Sequence, residues 1–385
     1  MSGFHARWNL GAVFFAKGAR TFCYGYLGIL LPLYLADLGL SATGIGAFVT
    51  FTLVASALLT WVIRAPAERF GVRAALIALA GLSLVGALLL LLTRQPWLVV
   101  VAAMLGNVAV GAGETGPFLS IEQVVIARAV GPAQRTTILS LYNLLGYGAA
   151  AAGAGVVALG TPRVLFGVFL VAALVQAGAY AALGGVTLAA PSARAAPAST
   201  PVIRRIAALF ALDSFAGGFV LQALIAYFLH VRFDLGLEAL GRVFFVAQLL
   251  TAASLLLAPR LARVLGLLPT MVLTHLVSNV FLIGIAAAPS AAVAIALLFA
   301  RQLLSQIDVP TRQAWVMSIV PDHEREAAAT TTTLWRTAAQ AITPLVTGWV
   351  MQTIALSAPF VLGGTLKILY DVLLWRTFKD LKPRE

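Results

Sequence analysis

The stretch LLFARQLLSQIDVPTRQAWVMSIVPDHERE, residues 297–326, decides how the rest of the chain is interpreted. It begins with apolar residues typical of a helix. It then carries Arg301, Asp308 and Arg312 at i, i+7 and i+11, so a helix places these side chains on one stripe. The surrounding sequence is typical of membrane spans, where an ionisable side chain is costly and faces protein or a water-filled cavity. The stretch therefore predicts a helix that lines a polar cavity in a membrane protein.

The composition indicates an all-α polytopic membrane protein. Of the 385 residues, 61% are hydrophobic and 10% are charged, and this balance leaves too little polar surface to cover a soluble fold. Apolar segments of about 20 residues recur, which is the length that crosses the hydrocarbon core as a helix. The period-2 alternation of a membrane β-barrel is absent. Cys23 is the single cysteine, which excludes a disulfide framework and a Cys-rich metal site. We expect no metal and no cofactor.

Twelve spans account for the apolar segments. We place them near 9–36, 44–65, 74–94, 97–128, 136–160, 163–188, 204–231, 237–258, 269–288, 290–320, 327–355 and 358–377. Most Lys and Arg residues outside the spans lie at the two termini and in the loops that follow even-numbered spans. This positive-inside bias predicts that both termini face the cytoplasm and that the protein lies in the cytoplasmic membrane. The same bias explains the net charge of +12 without a nucleic-acid partner.

A compositional break divides the chain into two halves. The segment AAPSARAAPASTPVI, residues 189–203, is rich in Pro, Ala and Ser and has no long apolar run, as expected of a linker. We predict an N-terminal six-helix bundle of residues 1–188, a cytoplasmic linker of residues 189–203, and a C-terminal six-helix bundle of residues 204–385.

The two halves resemble one another. RTFCYGYL (20–27) aligns with DSFAGGFV (213–220), and IEQVVIARAVGPAQR (121–135) aligns with TRQAWVMSIVPDHER (311–325). The repeat is in register with the predicted spans, which indicates two pseudo-symmetric bundles. Parallel repeats of this kind place a binding site between the halves near the bilayer midplane.

The loop after span 2, RAPAERFGVR (64–73), is similar to the signature Gly-x-x-x-Asp-Arg-x-Gly-Arg-Arg of the major facilitator superfamily. A second copy, APRLARVLG (258–266), follows span 8, and the resemblance extends over nearly the whole chain. The segments 273–284 and 307–328 resemble a bacterial efflux-type branch. The resemblance implies a conformational latch on the cytoplasmic side, because charged loop residues can bind the dipole of a facing helix. The residues assigned to this latch are Glu68, Arg69, Gly71, Arg73 and Arg263.

Four charged residues lie at similar depth in the aligned spans. Arg20 in span 1 aligns with Asp213 in span 7, and Glu122 in span 4 aligns with Arg312 in span 10. Each lies about 8–12 residues from the cytoplasmic end of its span, or roughly 12–18 Å. Intramembrane charges are functional candidates. The alternative is that Arg20–Glu122 and Asp213–Arg312 are structural pairs within each half.

Acidic residues are the candidates for proton coupling. Glu114, eight residues before Glu122, shares its side of a continuous helix, and burial favours the protonated form of such a carboxyl group. The proton-coupling set is therefore Glu114, Glu122, Asp213 and Asp308. For Glu114 the alternative is a hydrogen bond to a neighbouring helix, and for Asp308 it is a local ion pair with Arg312.

Other polar residues are candidate cavity and substrate contacts. Pro310 cannot donate to the carbonyl of Gln306, so we expect a kink that frees an acceptor. Arg301 and Arg336 are candidates either for bidentate binding of an anionic group or for pairing with an acid. The full substrate or cavity set is Arg20, Tyr24, Glu122, Asn143, Asp213, Gln306, Arg312 and Arg336.

Two further pairs of polar residues are four positions apart on predicted spans. Lys367 and Asp371 are four apart on span 12, and we interpret them as an ion pair within that helix. His275 and Asn279 share one face of span 9.

The sequence predicts a monomeric secondary transporter that moves a small solute by alternating access. No nucleotide-phosphate motif is present, which favours an ion gradient, protons first, as the energy source. The resemblance favours efflux, as a proton antiporter. The alternatives are a proton-coupled importer of a small metabolite or organic anion, an intramembrane enzyme that uses Glu122, His275 or Asp308 as acid or base, and a transport-inactive sensor. The partners are the solute, protons and the lipid bilayer; we expect neither an enzyme activity nor a nucleic-acid partner.

Overall fold

The computed structural model describes residues 3–111, 116–184, 201–320 and 325–380. The regular structure in these ranges is helical, with one short 3-10 turn at Val157–Leu159. In chain order the α-helices are α1 Gly3–Asp37, α2 Ala42–Val62, α3 Arg64–Phe70, α4 Val72–Leu92, α5 Pro96–Leu105, α6 Pro117–Ala129, α7 Pro132–Val156, α8 Pro162–Ala181, α9 Pro201–Gly218, α10 Gln222–Phe233, α11 Leu237–Leu265, α12 Leu267–Ala286, α13 Ala291–Ser305, α14 Asp308–Ile319, α15 Arg325–Thr353 and α16 Ala358–Phe378.

The predicted membrane-spanning fold is confirmed. Within the described ranges, nine helical segments are long and apolar enough to cross a bilayer. They correspond to predicted spans 2, 3, 5 to 10 and 12. The remaining predicted spans are α1, the α5–α6 segment and α15. Charged residues on α1 and many threonines on α15 lower the hydropathy of these helices, and α5 by itself is short.

Span 4 is not the continuous helix that the sequence predicts. Helix α5 ends at Leu105 and α6 begins only at Pro117. Asn107, just after α5, has a left-handed φ of 48°, and Gly116, just before α6, has a φ of 116°. Neither conformation is compatible with a continuous α-helix. Proline is favoured in the first turn of a helix, where its missing N–H costs nothing, so Pro117 starts α6 rather than bending a longer helix. The predicted placement of Glu114 relative to Glu122 assumed that continuous helix; Glu114 itself lies outside the described residues, and its role stays a prediction.

Spans 7 and 10 are also interrupted. In span 7, α9 ends at Gly218 and α10 begins at Gln222. In span 10, α13 ends at Ser305 and α14 begins at Asp308. The interruption lies before Pro310, rather than at it, because proline occupies the first turn of α14. Discontinuous helices expose backbone groups at the level of the ionisable residues.

The helices form two compact units. The first comprises Met1–Ser41, Phe48–Pro191 and Leu235–Phe245, and the second comprises Ala42–Ala47, Ser192–Asp234 and Val246–Glu385. Most of the predicted linker lies outside the described residues. The predicted boundaries at 188 and 204 therefore stay a prediction.

Equivalent helices pack tightly inside each unit. In the first unit, α1 packs along α7, where Gly25 and Gly153 let the backbones approach so closely that a Cβ at either position would overlap the facing carbonyl group. In the second unit, α9 packs along α15, and Gly218, which aligns with Gly25, faces Thr343. The loop glycines also match, with φ/ψ of 89°/162° at Gly71 and 87°/164° at Gly266. These similarities are those expected of an internal repeat.

Candidate functional site

Glu122 is the centre of a buried ion pair in the first unit. It lies on α6 with an exposed fraction of 0%. Arg20 on α1 donates from Nη2 to Oε2 at 2.7 Å and from Nη1 to Oε1 at 3.2 Å. Tyr180 donates its hydroxyl to Oε1 at 2.5 Å, and the hydroxyl of Tyr142 donates to Oε2. Both carboxylate oxygens therefore have two hydrogen-bond donors, so the buried side chain has partners for its polar atoms.

Aromatic side chains hold Arg20 in place. Its guanidinium lies 4.4 Å from the ring centroid of Phe118, and the Phe118 ring stacks on Tyr180 with centroids 6.1 Å apart. Arg20 also donates to the hydroxyl of Tyr180 at 2.8 Å. The guanidinium therefore combines charge pairing with a cation–π contact. This arrangement favours a rigid anchor over a mobile side chain.

Asp213 is the corresponding centre in the second unit. It lies on α9 and is 4% exposed. Lys367 of α16 donates to Oδ1 at 2.6 Å, and Arg312 of α14 donates to Oδ2 at 3.1 Å. Nε2 of His275 on α12 lies 3.5 Å from Oδ1. Three basic side chains from three helices therefore meet on one carboxylate, whereas Glu122 meets one basic side chain and two tyrosines.

His275 joins Asp213 to a second buried carboxylate. Its Nδ1 lies 2.8 Å from Oδ1 of Asp371, and Nδ2 of Asn279 donates to Oδ2 of Asp371 at 3.3 Å. Nε2 of His275 lies 3.4 Å from Nζ of Lys367. In the neutral imidazole, Nδ1–H donates to Asp371 and the Nε2 lone pair faces the lysine ammonium. Asp371 is 0% exposed.

The predicted ion pair between Lys367 and Asp371 is wrong. The two residues are four apart on α16, but Lys367 contacts Asp213 across the α9–α16 packing, and Asp371 contacts His275 and Asn279 of α12. Lys367 and Asp371 each have a buried partner on a neighbouring helix, so their spacing of four residues along α16 does not determine the pairing. The sequence did place His275 and Asn279 on one face; it carried no signal for the α16 residues that this face meets.

The local pair between Asp308 and Arg312 is confirmed. Nη1 of Arg312 lies 2.9 Å from Oδ2 of Asp308, so this guanidinium contacts Asp308 and Asp213 together. The predicted pairs of the aligned repeats, Arg20–Glu122 and Asp213–Arg312, are both present. In each unit the structure thus brings together the two charged residues that the repeat alignment singled out.

The two remaining intramembrane arginines contact neutral groups. Arg301 on α13 donates from Nη1 to the amide oxygen of Gln302 at 3.0 Å, and its buried Nε has no hydrogen-bond partner. Arg336 on α15 donates from Nε to the hydroxyl of Ser214 at 2.9 Å. Among the described residues, neither arginine forms an ion pair.

The other predicted substrate contacts are more dispersed. Tyr24 is buried, and its hydroxyl donates to the carbonyl of Gly106 at 3.2 Å, at the end of α5. Gln306 lies in the interruption of span 10, where its backbone N–H donates to Ser254 at 3.3 Å. Asn143 on α7 is exposed. These positions leave the predicted substrate roles untested.

The predicted latch residues lie around the short helix α3 and the end of α11. Glu68 accepts from Nε of Arg64 at 3.0 Å in an exposed i, i+4 pair. The Arg69 guanidinium lies 5.2 Å from the Phe70 ring centroid. Nε of Arg263 donates to the carbonyl of Pro259 at 3.3 Å. Gly71 takes the left-handed backbone described above, and Arg73 is exposed. The latch role stays a prediction.

Comparison with known proteins connects this geometry to a family. The sequence model of the Major Facilitator Superfamily matches residues 13–342. The chain is 23% identical over 405 residues to an uncharacterized membrane protein of Saccharomyces cerevisiae, covering 92% of this chain and 90% of that protein.

Solved structures with a similar fold are transporters. The nucleoside transporter NupG has a TM-score of 0.75 at 12% identity, over 96% of this chain and 99% of its own. The D-xylose-proton symporter has a TM-score of 0.71 at 13% identity, over 97% of each chain. The human organic anion transporter MFSD10 has a TM-score of 0.66 at 15% identity, over 96% of this chain and 99% of its own. At these identities the likeness concerns the fold.

Proposed function

The chain belongs to the major facilitator superfamily, and on this premise we propose that it is a proton-coupled antiporter that exports a small solute by alternating access. Members of the family carry small solutes across membranes, so this chain is a transporter rather than an enzyme. Proton coupling, export and placement in the cytoplasmic membrane with both termini in the cytoplasm are the proposed parts. One solved relative in fold is named a proton symporter, so the fold accommodates proton coupling.

The observation that carries the proposal is His275 between two buried carboxylates. Its Nδ1 is 2.8 Å from Asp371 and its Nε2 is 3.5 Å from Asp213. Imidazole can bind and release a proton near neutral pH. It can therefore pass a proton between the two carboxylates through its two ring nitrogens. Asp213 also contacts Lys367 and Arg312, so its protonation state affects three helices around α9.

Protonation of Asp213 links chemistry to conformation. The neutral acid attracts Lys367 and Arg312 much less than the carboxylate does. The contacts of α9 with α14 and α16, which Arg312 and Lys367 make through Asp213, then weaken. Binding or loss of a proton thus changes the relative stability of two arrangements of these helices, as coupling requires.

The remaining candidate residues receive distinct roles in this proposal. Glu122 and Arg20 hold the helices of the first unit together, with Glu122 as a secondary proton-coupling group. The predicted solute contacts are Tyr24, Asn143, Gln306, Arg312 and Arg336. Asp308, beside Arg312, adjusts the charge near Asp213. Glu114 stays a proposed proton carrier on the basis of sequence. The latch residues favour one conformation from the cytoplasmic loops.

Flux measurements on three variants test the proposal. We expect Asp213→Asn, His275→Gln and Glu122→Gln to abolish proton-coupled accumulation of solutes in proteoliposomes, measured by mass spectrometry after incubation with a metabolite mixture under an imposed pH gradient. Arg242→Gln is the matched control, because Arg242 pairs with Glu238 on an exposed helix surface. Size-exclusion profiles establish that each variant is folded.

Two results would contradict the proposal. Accumulation that is the same with and without a pH gradient in the unsubstituted protein removes proton coupling. Loss of folded protein in Asp213→Asn and Glu122→Gln favours a purely structural role for the ion pairs. Direction is tested with membrane vesicles: an exporter accumulates solute in inverted vesicles with an acidic lumen, whereas a symporting importer accumulates it in right-side-out vesicles.

A further inference from the structure

The interior of the second unit carries more basic than acidic side chains. Asp213 is shared by Lys367 and Arg312, and Arg312 also contacts Asp308. Asp371 is occupied by His275 and Asn279. The two arginines described above contact only neutral groups. The basic side chains of this interior are Arg301, Arg312, Arg336 and Lys367, and the acidic ones are Asp213, Asp308 and Asp371. With His275 neutral, these side chains carry a net charge of one positive unit, and protonation of His275 would increase that net charge.

Arg336 has a geometry suited to binding an anion. Its Nε is held by the Ser214 hydroxyl at 2.9 Å, which fixes the direction of the planar guanidinium. Within the described part of the chain, Nη1 and Nη2 donate to no side chain, and the residue is partly buried. A guanidinium oriented through Nε presents its two terminal nitrogens as a fork that fits a carboxylate or phosphate bidentately.

The electrostatic surroundings of Arg336 favour an incoming anion. The positive charge of Arg312 repels that of Arg336, while the carboxylates of Asp213 and Asp308 attract it. Both of these acids already contact Arg312. Arg301 also lies in the field of Asp308 without contacting it. Asp308 thus attracts the guanidinium groups of Arg301, Arg312 and Arg336. An additional negative charge would stabilise these three groups.

We infer that the transported solute is an organic anion whose carboxylate or phosphate group binds the terminal nitrogens of Arg336, with the positive charge of Arg301 contributing to its attraction. The inference rests on the proposed function and specifies its substrate class. A solute anion neutralises the surplus charge only while it is bound.

Binding measured with matched pairs of compounds tests the anion site separately from transport. Purified protein in detergent is heated with benzoate or benzamide, with lactate or lactamide, and with glycerol 3-phosphate or glycerol, at constant ionic strength set by sodium chloride. We expect at least one acid to raise the melting temperature while its neutral partner does not. Arg336→Gln should weaken binding of that acid by about tenfold or more, as loss of a charge-assisted hydrogen bond does.

Variants distinguish a specific site from general charge. Arg336→Lys keeps the charge but loses the fork, so we expect intermediate binding. Arg301→Gln should weaken binding less than Arg336→Gln does, and Arg242→Gln, on the exposed surface, should leave it unchanged. Stabilisation that is equal for acid and neutral partner in every pair, including no stabilisation at all, overturns the inference. So does stabilisation that chloride alone reproduces or that Arg336→Gln retains.

Flux of the same compounds separates the inference from the proposed function. Anions that bind and also accumulate in proteoliposomes support both. Anions that bind at Arg336 without any flux contradict the transport proposal and leave the anion site intact. Accumulation of neutral or cationic solutes alone overturns the anion inference and leaves the transporter intact.

Discussion

The Arg20–Glu122 and Asp213–Arg312 pairs carry opposite signs at equivalent positions of the two repeats. In the first unit the base lies on span 1 and the acid on span 4; in the second unit the acid lies on span 7 and the base on span 10. Their surroundings also differ. Besides Arg20, Glu122 accepts hydrogen bonds from two tyrosine hydroxyls, which are uncharged. Besides Arg312, Asp213 contacts Lys367 and His275. The two ion pairs therefore differ in the residues that surround them: neutral hydroxyl groups in the first unit, and a lysine and a histidine in the second.

Removal of the Tyr180 hydroxyl should destabilise the first unit without changing its charge. In Tyr180→Phe, Glu122 loses one donor and Arg20 loses one acceptor. Because both groups are buried, we expect a loss of about 1–3 kcal/mol in unfolding free energy, measured by denaturant titration in detergent. Tyr34→Phe is the control, since its hydroxyl bonds to no described residue. Equal stability of both variants would contradict the anchoring role assigned to Tyr180.

At the level of single residues, the sequence predicted the ion pairs and missed their surroundings. The depth of Arg20, Glu122 and Asp213 followed from span boundaries, and their pairing from the repeat. The contact between Lys367 and Asp213 was not predictable, because it depends on how α16 rotates against α9, and the sequence of either helix alone does not define that rotation. The spacing of Lys367 and Asp371 favoured a local pair that the packing of the helices prevents.

Interrupted helices distinguish three spans from the others. Spans 4, 7 and 10 break near Asn107, Gly218 and Gln306, while α1, the fourth helix that carries the paired charges, is continuous. The glycines and prolines of these spans were visible in the sequence. The position of each break was not, because proline is compatible both with a kink inside a helix and with the first turn of a new one.

Close backbone packing makes α1 and α7 intolerant of added volume. A Cβ at residue 153 would overlap the carbonyl of Phe22, so Gly153→Ala should force the two helices apart and cost about 1–3 kcal/mol or more. Gly148→Ala lies on the same helix with nothing within 4 Å, and we expect it to be neutral or slightly stabilising. The measurement is the melting temperature of purified protein. Similar values for the two variants would show that this contact is not tight.

On the scale of the whole molecule, the family and the membrane-spanning fold were predictable because they depend on properties summed over many residues. Hydropathy, the compositional break and the repeated loop around Gly71 and Gly266 each concern long segments, so small errors in span boundaries do not alter the conclusion. The solute and the direction of transport depend on a few side chains and on the energetics of conformational change. Neither quantity is encoded in composition or periodicity.

The predicted orientation can be tested with introduced cysteines. Lys379→Cys near the C-terminus and Gln95→Cys between α4 and α5 are both exposed positions, and the native Cys23 is buried. We expect a membrane-impermeant maleimide to label Gln95→Cys in right-side-out vesicles and Lys379→Cys in inverted vesicles. The reverse pattern would place the termini outside, and labelling of both from one side would contradict the predicted number of crossings between them.

The reversed polarity of the two ion pairs constrains how the repeats diverged. A change of one partner at a time, from Arg to acid or from acid to Arg, leaves two like charges facing each other in a buried site, which is strongly destabilising. A route between the two arrangements that avoids this cost passes through a state in which at least one of the paired positions is uncharged.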